Sequence, residues 1–128
     1  MSAENVEVVR RLYETWNEHG FRVVEELMDP AIEFVNPPDA VEPGTRHGYE
    51  GFAAAAAAVT SIYGGYVVTV LEVHDLGDRV VARARVATRS RGMAVPIEAE
   101  RSYAFDVRDG RVTRFAWFND PTGALEAG

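Results

Sequence analysis

Residues 66–77 read YVVTVLEVHDLG and residues 78–89 read DRVVARARVATR, two long runs of valine and alternating polar residues that meet at Gly77-Asp78. β-Branched residues in such runs, punctuated by a turn pair, spell two neighbouring antiparallel strands. Downstream the same grammar repeats in AVPIEAERSYAFDV (94–107) and RVTRFAWF (111–118), with turns at Gly92 and at Asp109-Gly110. Four strands in succession with nothing helical between them form a meander.

Upstream the period changes. Val6, Val9, Tyr13 and Trp16 recur at spacings of three and four, which puts one apolar stripe on a helix over residues 3–18, capped by Ser2 and ended by His19-Gly20. A short second helix is predicted over 21–28, turning Val24, Leu27 and Met28 inward and closed by Asp29-Pro30. A third covers 49–63, where FAAAAAAVTSIY has strong helix propensity; Phe52, Val59 and Ile62 or Tyr63 fall near one face before Gly64-Gly65 break it. Three N-terminal helices followed by long antiparallel strands is an α+β order, with the helices covering one face of a curved sheet. A homodimer partner is the expected cover of the other face.

Between the second and third helices lies AIEFVNPPD (31–39), a strand that stops on two prolines. Proline lacks the N–H and fixes φ, so the strand ends at or near Asn36, and residues 37–48, with three prolines and two glycines, read as a loop at a pocket rim. Asn36 therefore sits at a strand mouth.

Composition closes several routes to function. The 128 residues make one domain and contain no cysteine, which excludes disulfides, thiolate nucleophiles and sulfur metal sites. All 13 basic residues are arginine, so lysine-based Schiff chemistry is excluded as well. A net charge of −7 without a basic tract gives no footprint for nucleic acid. No window approaches the run of about 20 apolar residues that spans a bilayer, and no signal peptide is evident, so the chain reads as soluble and cytoplasmic with no membrane partner. His19, His47 and His74 show no ligand spacing. Neither a metal nor a cofactor is expected.

The segments YETWNEHGF (13–21), ELMDPAIEFVNPP (26–38), GTRHGYEGF (44–52) and VRDGRVTRFAWFNDPTGALEAG (107–128) resemble the nuclear transport factor 2-like superfamily, in its SnoaL-like branch. The resemblance covers nearly the whole chain. It implies a cone-shaped fold in which a curved antiparallel sheet and helices enclose a deep pocket, commonly in homodimers. Isomerases, epoxide hydrolases, cyclases, dehydratases and domains without chemistry share that fold, so function has to be argued from the site.

Tyr13 is similar in position to the first-helix tyrosine of ketosteroid isomerases, which donates a hydrogen bond to the substrate oxygen; its bland reading is a core residue. Asn36 matches the place of their aspartate base, and an amide cannot take a proton near neutral pH. Asn36 also resembles the water-holding asparagine of limonene epoxide hydrolases. There, however, Phe34 replaces a tyrosine, Trp117 occupies the last-strand aspartate position, and the strand bearing Arg83 and Arg85 offers no acid.

Alternation places Arg101 on the same strand face as Ile97, Ala99, Tyr103 and Phe105, with Glu98, Glu100 and Ser102 on the other. Arg101 is predicted to point into the pocket, where the resembling isomerases carry a protonated aspartate. An inward arginine needs an anionic partner. That partner is either a rim acid such as Asp39 or Glu42, or a carboxylate or enolate ligand held by Arg101 and Tyr13 together.

Trp16, Phe34, Tyr103, Phe115, Trp117 and Asn119 are candidate lining residues, fitting a small hydrophobic molecule with one polar handle. Asp39 is the leading candidate for a general base and His47 the second; Asp120 reads as the cap of a short terminal helix near Pro121. Two functions remain open. One is a cofactor-independent isomerase, cyclase or dehydratase that stabilises an oxyanion on a hydrophobic carbonyl compound through Tyr13 and Arg101, with Asn36 orienting substrate or water. The other is a noncatalytic small-molecule-binding or dimerisation module.

Overall fold

A computed structural model describes residues 2–40, 43–90 and 97–127, with side chains for all of these except 2, 59–66, 88–90, 97 and 127. The Ser2 cap, the Gly92 turn, the 94–96 start of the third meander strand, Glu42 at the rim, and the side chains of Val59, Ile62, Tyr63 and Ile97 lie outside the described residues.

The first helix, α1, spans Ser2–His19 and buries Val8, Val9, Leu12, Tyr13 and Trp16. It stops where the sequence says it should: Gly20, at φ +92°, donates its N–H to the Trp16 carbonyl at 2.8 Å, a helix end that favours glycine. Residues 21–28 do not form the predicted helix. They make a turn in which Leu27 N–H bonds the Val24 carbonyl at 3.0 Å, although Val24, Leu27 and Met28 are buried as expected. So short a helix is unstable by itself. Here Met28 already belongs to strand β1 (Met28–Asn36), and the Leu27 carbonyl accepts the Val112 N–H at 2.8 Å.

A second correction concerns the rim loop. Gly44–His47 form a strand, β2, antiparallel to β1 in the register Glu33 opposite His47 and Asn36 opposite Gly44. Helix α2 (Gly48–Ile62) follows at once and passes directly into β3 (Tyr63–Asp75), so Gly64-Gly65 sit in the strand rather than in a break before it. Strands β4 (Arg79–Ser90), β5 (Ile97–Arg108) and β6 (Arg111–Phe118) complete the meander. Asp109 and Gly110, at φ +53° and +80°, make the two-residue turn that an Asp-Gly pair favours between twisted strands.

The sheet runs β2-β1-β6-β5-β4-β3 and is mixed, not purely antiparallel, because β1 and β6 pair in parallel. The first strand thus lies beside the last. The third helix is C-terminal, the five-residue α3 (Gly123–Ala127), leaving two N-terminal helices rather than three. Helices α1 and α2 cover the inner face of the sheet, while α3 seats Ala124 against Val81, Ala104 and Ala116 on the outer face. Ser102, 1% exposed, ties α3 down by donating to the Asp120 carbonyl at 2.6 Å and accepting the Ala124 N–H at 2.9 Å. No described helix is long and apolar enough to cross a membrane.

Strand β3 forms one open edge of the sheet. There Asn17, from α1, uses its carboxamide like a piece of backbone. Its Nδ2 donates to the Val68 carbonyl and its Oδ1 accepts the Val68 N–H, both at 2.8 Å. On the outer face Arg83 joins Glu72 to Glu100, and hydrogen bonding from Arg83, then His74, lowers the Glu72 pKa.

Candidate functional site

Strand register arranges the inner face in rows. Phe34, Phe115, Phe105 and Val80 lie side by side across β1, β6, β5 and β4. One step toward the mouth the row contains Trp117, Tyr103 and Ala82, and beyond it Arg101 faces Ala84. The alternation of YAF and FAWF puts Tyr103, Phe105, Phe115 and Trp117 on this one face.

Phe115 is the centre of the deep row. It stacks on Phe34 (centroids 5.4 Å apart, planes at 8°) and on Tyr103 (5.7 Å, 4°), and lies 4.8 Å from Phe105. Tyr13 packs edge-on against Tyr103 at 6.0 Å, Phe105 at 5.6 Å and Trp16 at 5.8 Å. Trp16 sits only 1% exposed, with its indole N–H bonded to the Arg22 carbonyl at 2.8 Å, which marks it as a scaffold residue. Phe21 and Phe52 finish the cluster, 5.2 Å apart and 6.2 and 5.2 Å from Phe34. Sequence reasoning did not place Phe21 here, because it follows Gly20 in a segment with no period.

At the mouth the chemistry changes. Trp117 donates its indole N–H to Asn36 Oδ1 at 2.7 Å, and the Arg101 guanidinium carbon lies 5.3 Å from the centroid of the same indole, within cation–π range. Asn36, Arg101 and Trp117 are all half-buried, unlike the closed aromatic cluster beneath them. Among the described residues Arg101 has no carboxylate within ion-pair distance. The alternative of a salt bridge to Asp39 is therefore not what the structure shows.

The remaining candidates fall elsewhere. Asp39 is exposed in the turn after β1, where Ala40 N–H bonds the Pro37 carbonyl at 3.0 Å, so it lacks the burial that the base role requires. His47 stands opposite Glu33, which alternates with the inward Phe34. It is 72% exposed on the outer face, 3.8 Å from the Glu33 carboxylate, and is not brought to the mouth. Asn119 is exposed just past β6. Asp120 is structural, its Oδ1 accepting the Thr122 N–H at 2.8 Å and the Thr122 hydroxyl at 2.9 Å, contacts that lower its pKa. Among the described residues no group of three or more His, Asp or Glu is placed to hold a metal.

The family model of the SnoaL-like domain matches residues 9–115. The chain is a SnoaL-like domain. Solved structures share its fold. TerC, co-crystallised with polyporic acid, is 24% identical with a TM-score of 0.80, the match covering 96% of each chain. A candidate SnoaL-like polyketide cyclase from Jannaschia sp. CCS1 is also 24% identical with a TM-score of 0.80, covering 98% of this chain and 92% of that one. A protein with the ketosteroid isomerase-like fold from Catenulispora acidiphila DSM 44928, in complex with trimethylamine, is 17% identical with a TM-score of 0.76, covering 94% and 90%. No curated protein is significantly similar in sequence. At these identities the likeness of the SnoaL-like domain to solved structures extends to its fold alone.

Proposed function

We propose that this SnoaL-like domain is a small-molecule enzyme of the isomerase, cyclase or dehydratase type that stabilises an oxyanion on a hydrophobic carbonyl compound. The observation that carries this reading is Arg101: a half-buried guanidinium resting on an indole, with no carboxylate partner among the described residues, directly above a wall of aromatic rings. Desolvating a permanent cation costs several kcal/mol unless an anion compensates, and a developing oxyanion is such an anion. Tyr13 offers a phenol from α1, Asn36 orients the substrate, and Phe34, Tyr103, Phe115 and Trp117 supply the hydrophobic surface. The co-crystallised small molecules of TerC and of the Catenulispora protein support a ligand site in this fold.

A noncatalytic binding module is the second reading, and one observation favours it. Among the described residues no carboxylate lies within ion-pair distance of Arg101, Asp39 is exposed, and His47 stands on the outer face. The reading also includes a homodimer through the outer sheet face, where Val67 is 52% exposed; sedimentation velocity checks it.

Native mass spectrometry of the protein purified from its host extract tests the first reading. A retained carbonyl compound is the expected result, with Arg101→Met weakening its binding by about tenfold or more, ~1.4 kcal/mol. Turnover of that compound, lowered by Tyr13→Phe, separates enzyme from binder. An empty protein that ignores a panel of aromatic carbonyl compounds overturns both ligand readings.

A further inference from the structure

The bond between Trp117 and Asn36 fixes more than a distance. An indole N–H can only donate, so the group 2.7 Å from it must be the amide oxygen, and the assignment of oxygen and nitrogen in Asn36 follows from chemistry. With Oδ1 engaged, Asn36 presents its NH2 to the mouth, and among the described residues that NH2 has no acceptor. Over the face of the same indole stands Arg101, which also can only donate. Two donors therefore meet one aromatic plate, Asn36 at its N–H edge and Arg101 over its face. Among the described residues no carboxylate lies within ion-pair distance of Arg101, and both Asp39 and His47 are exposed.

We propose that the mouth is a subsite for an anionic oxygen, a carboxylate or the ionised enol of a conjugated ketone, and that Trp117 is the positioning residue that makes Asn36 an obligate donor to it. This rests on the small-molecule reading above and narrows it to ligands already ionised at neutral pH. Such a ligand shares its charge over two oxygens, so one can accept from Asn36 Nδ2 and the other from the Arg101 guanidinium while its conjugated plane lies against apolar surface.

The test is a pair of flat probes, 2-hydroxy-1,4-naphthoquinone, anionic at pH 7, and its neutral 2-methoxy ether, titrated calorimetrically into the full chain. The anion is expected to bind at least about tenfold more tightly. Arg101→Met lowers that preference to what the Asn36 donor alone supplies. Trp117→Phe keeps Arg101 and an aromatic surface but frees the amide to turn, so the ratio of the two affinities falls toward one. In 15N spectra of the wild type, the Asn36 side-chain NH2 signals shift with the anion and not with the ether. Asn36→Asp is the independent variant, placing a carboxylate beside Arg101; it is expected to reverse the preference.

Equal binding of both probes to the wild type overturns the anionic subsite and leaves the small-molecule reading standing. A Trp117→Phe variant that weakens both probes equally, with the ratio unchanged, overturns the positioning role. Binding of neither probe overturns the inference, while a carbonyl compound retained from the host extract would still uphold the broader reading.

Discussion

Phe115 touches more of the aromatic cluster than any single function would demand, stacking on two rings and leaning on a third. Replacing it with alanine removes those contacts from a site only 3% exposed and is expected to cost about 3–5 kcal/mol, read from urea unfolding. Arg101→Met, by contrast, gives up a cation–π contact of roughly 1 kcal/mol and leaves a flexible apolar chain over Trp117. Stability should barely change while ligand binding falls, so the two substitutions separate scaffold from site. Alternation in the last two meander strands was enough to put Arg101, Tyr103, Phe115 and Trp117 on one face. What alternation could not show was the bond from Trp117 to Asn36, between residues 81 apart in the chain, because only the pairing of the first strand with the last brings them together.

That pairing also explains the elements that the sequence concealed. GTRH carries no alternating apolar signal, and it becomes β2 only because β1 offers it an edge. The 21–28 segment has the composition of a helix turn, yet Met28 pairs with Val112 and draws the chain out into a strand. Elements dictated locally were legible: α1 with its Gly20 stop, the Asp109-Gly110 turn, and the cap at Asp120. The cap carries a prediction. Its carboxylate is held below the usual aspartate pKa, first by the Thr122 N–H and then by the Thr122 hydroxyl. A depressed pKa means that the stabilisation is complete above the unfolded value of about 3.9 and is lost as pH falls through the lower folded value. The Thr122 amide proton is expected to titrate with a midpoint below that of a free aspartate, and Asp120→Asn to remove the titration. A midpoint at the ordinary value would contradict the cap.

At the scale of the molecule, the sheet has two edges and closes neither into a barrel. The β2 edge is short, four residues rich in polar groups, and invites little pairing. The β3 edge is thirteen residues long, with Val67, Val70 and Val73 exposed along it, the kind of strand on which another copy can lay itself. Asn17 stands in its way, already bonded to both backbone groups of Val68. Asn17→Ala is expected to leave far-UV circular dichroism unchanged and to make light scattering rise with protein concentration, whereas Asn17→Gln, which keeps the amide, should scatter less. Unchanged scattering in the alanine variant would remove this role from Asn17. The consequence reaches beyond folding: a carboxamide on a helix imitates the next strand and occupies the edge where a further copy would pair, so resistance to edge-to-edge growth hangs on a helix staying docked.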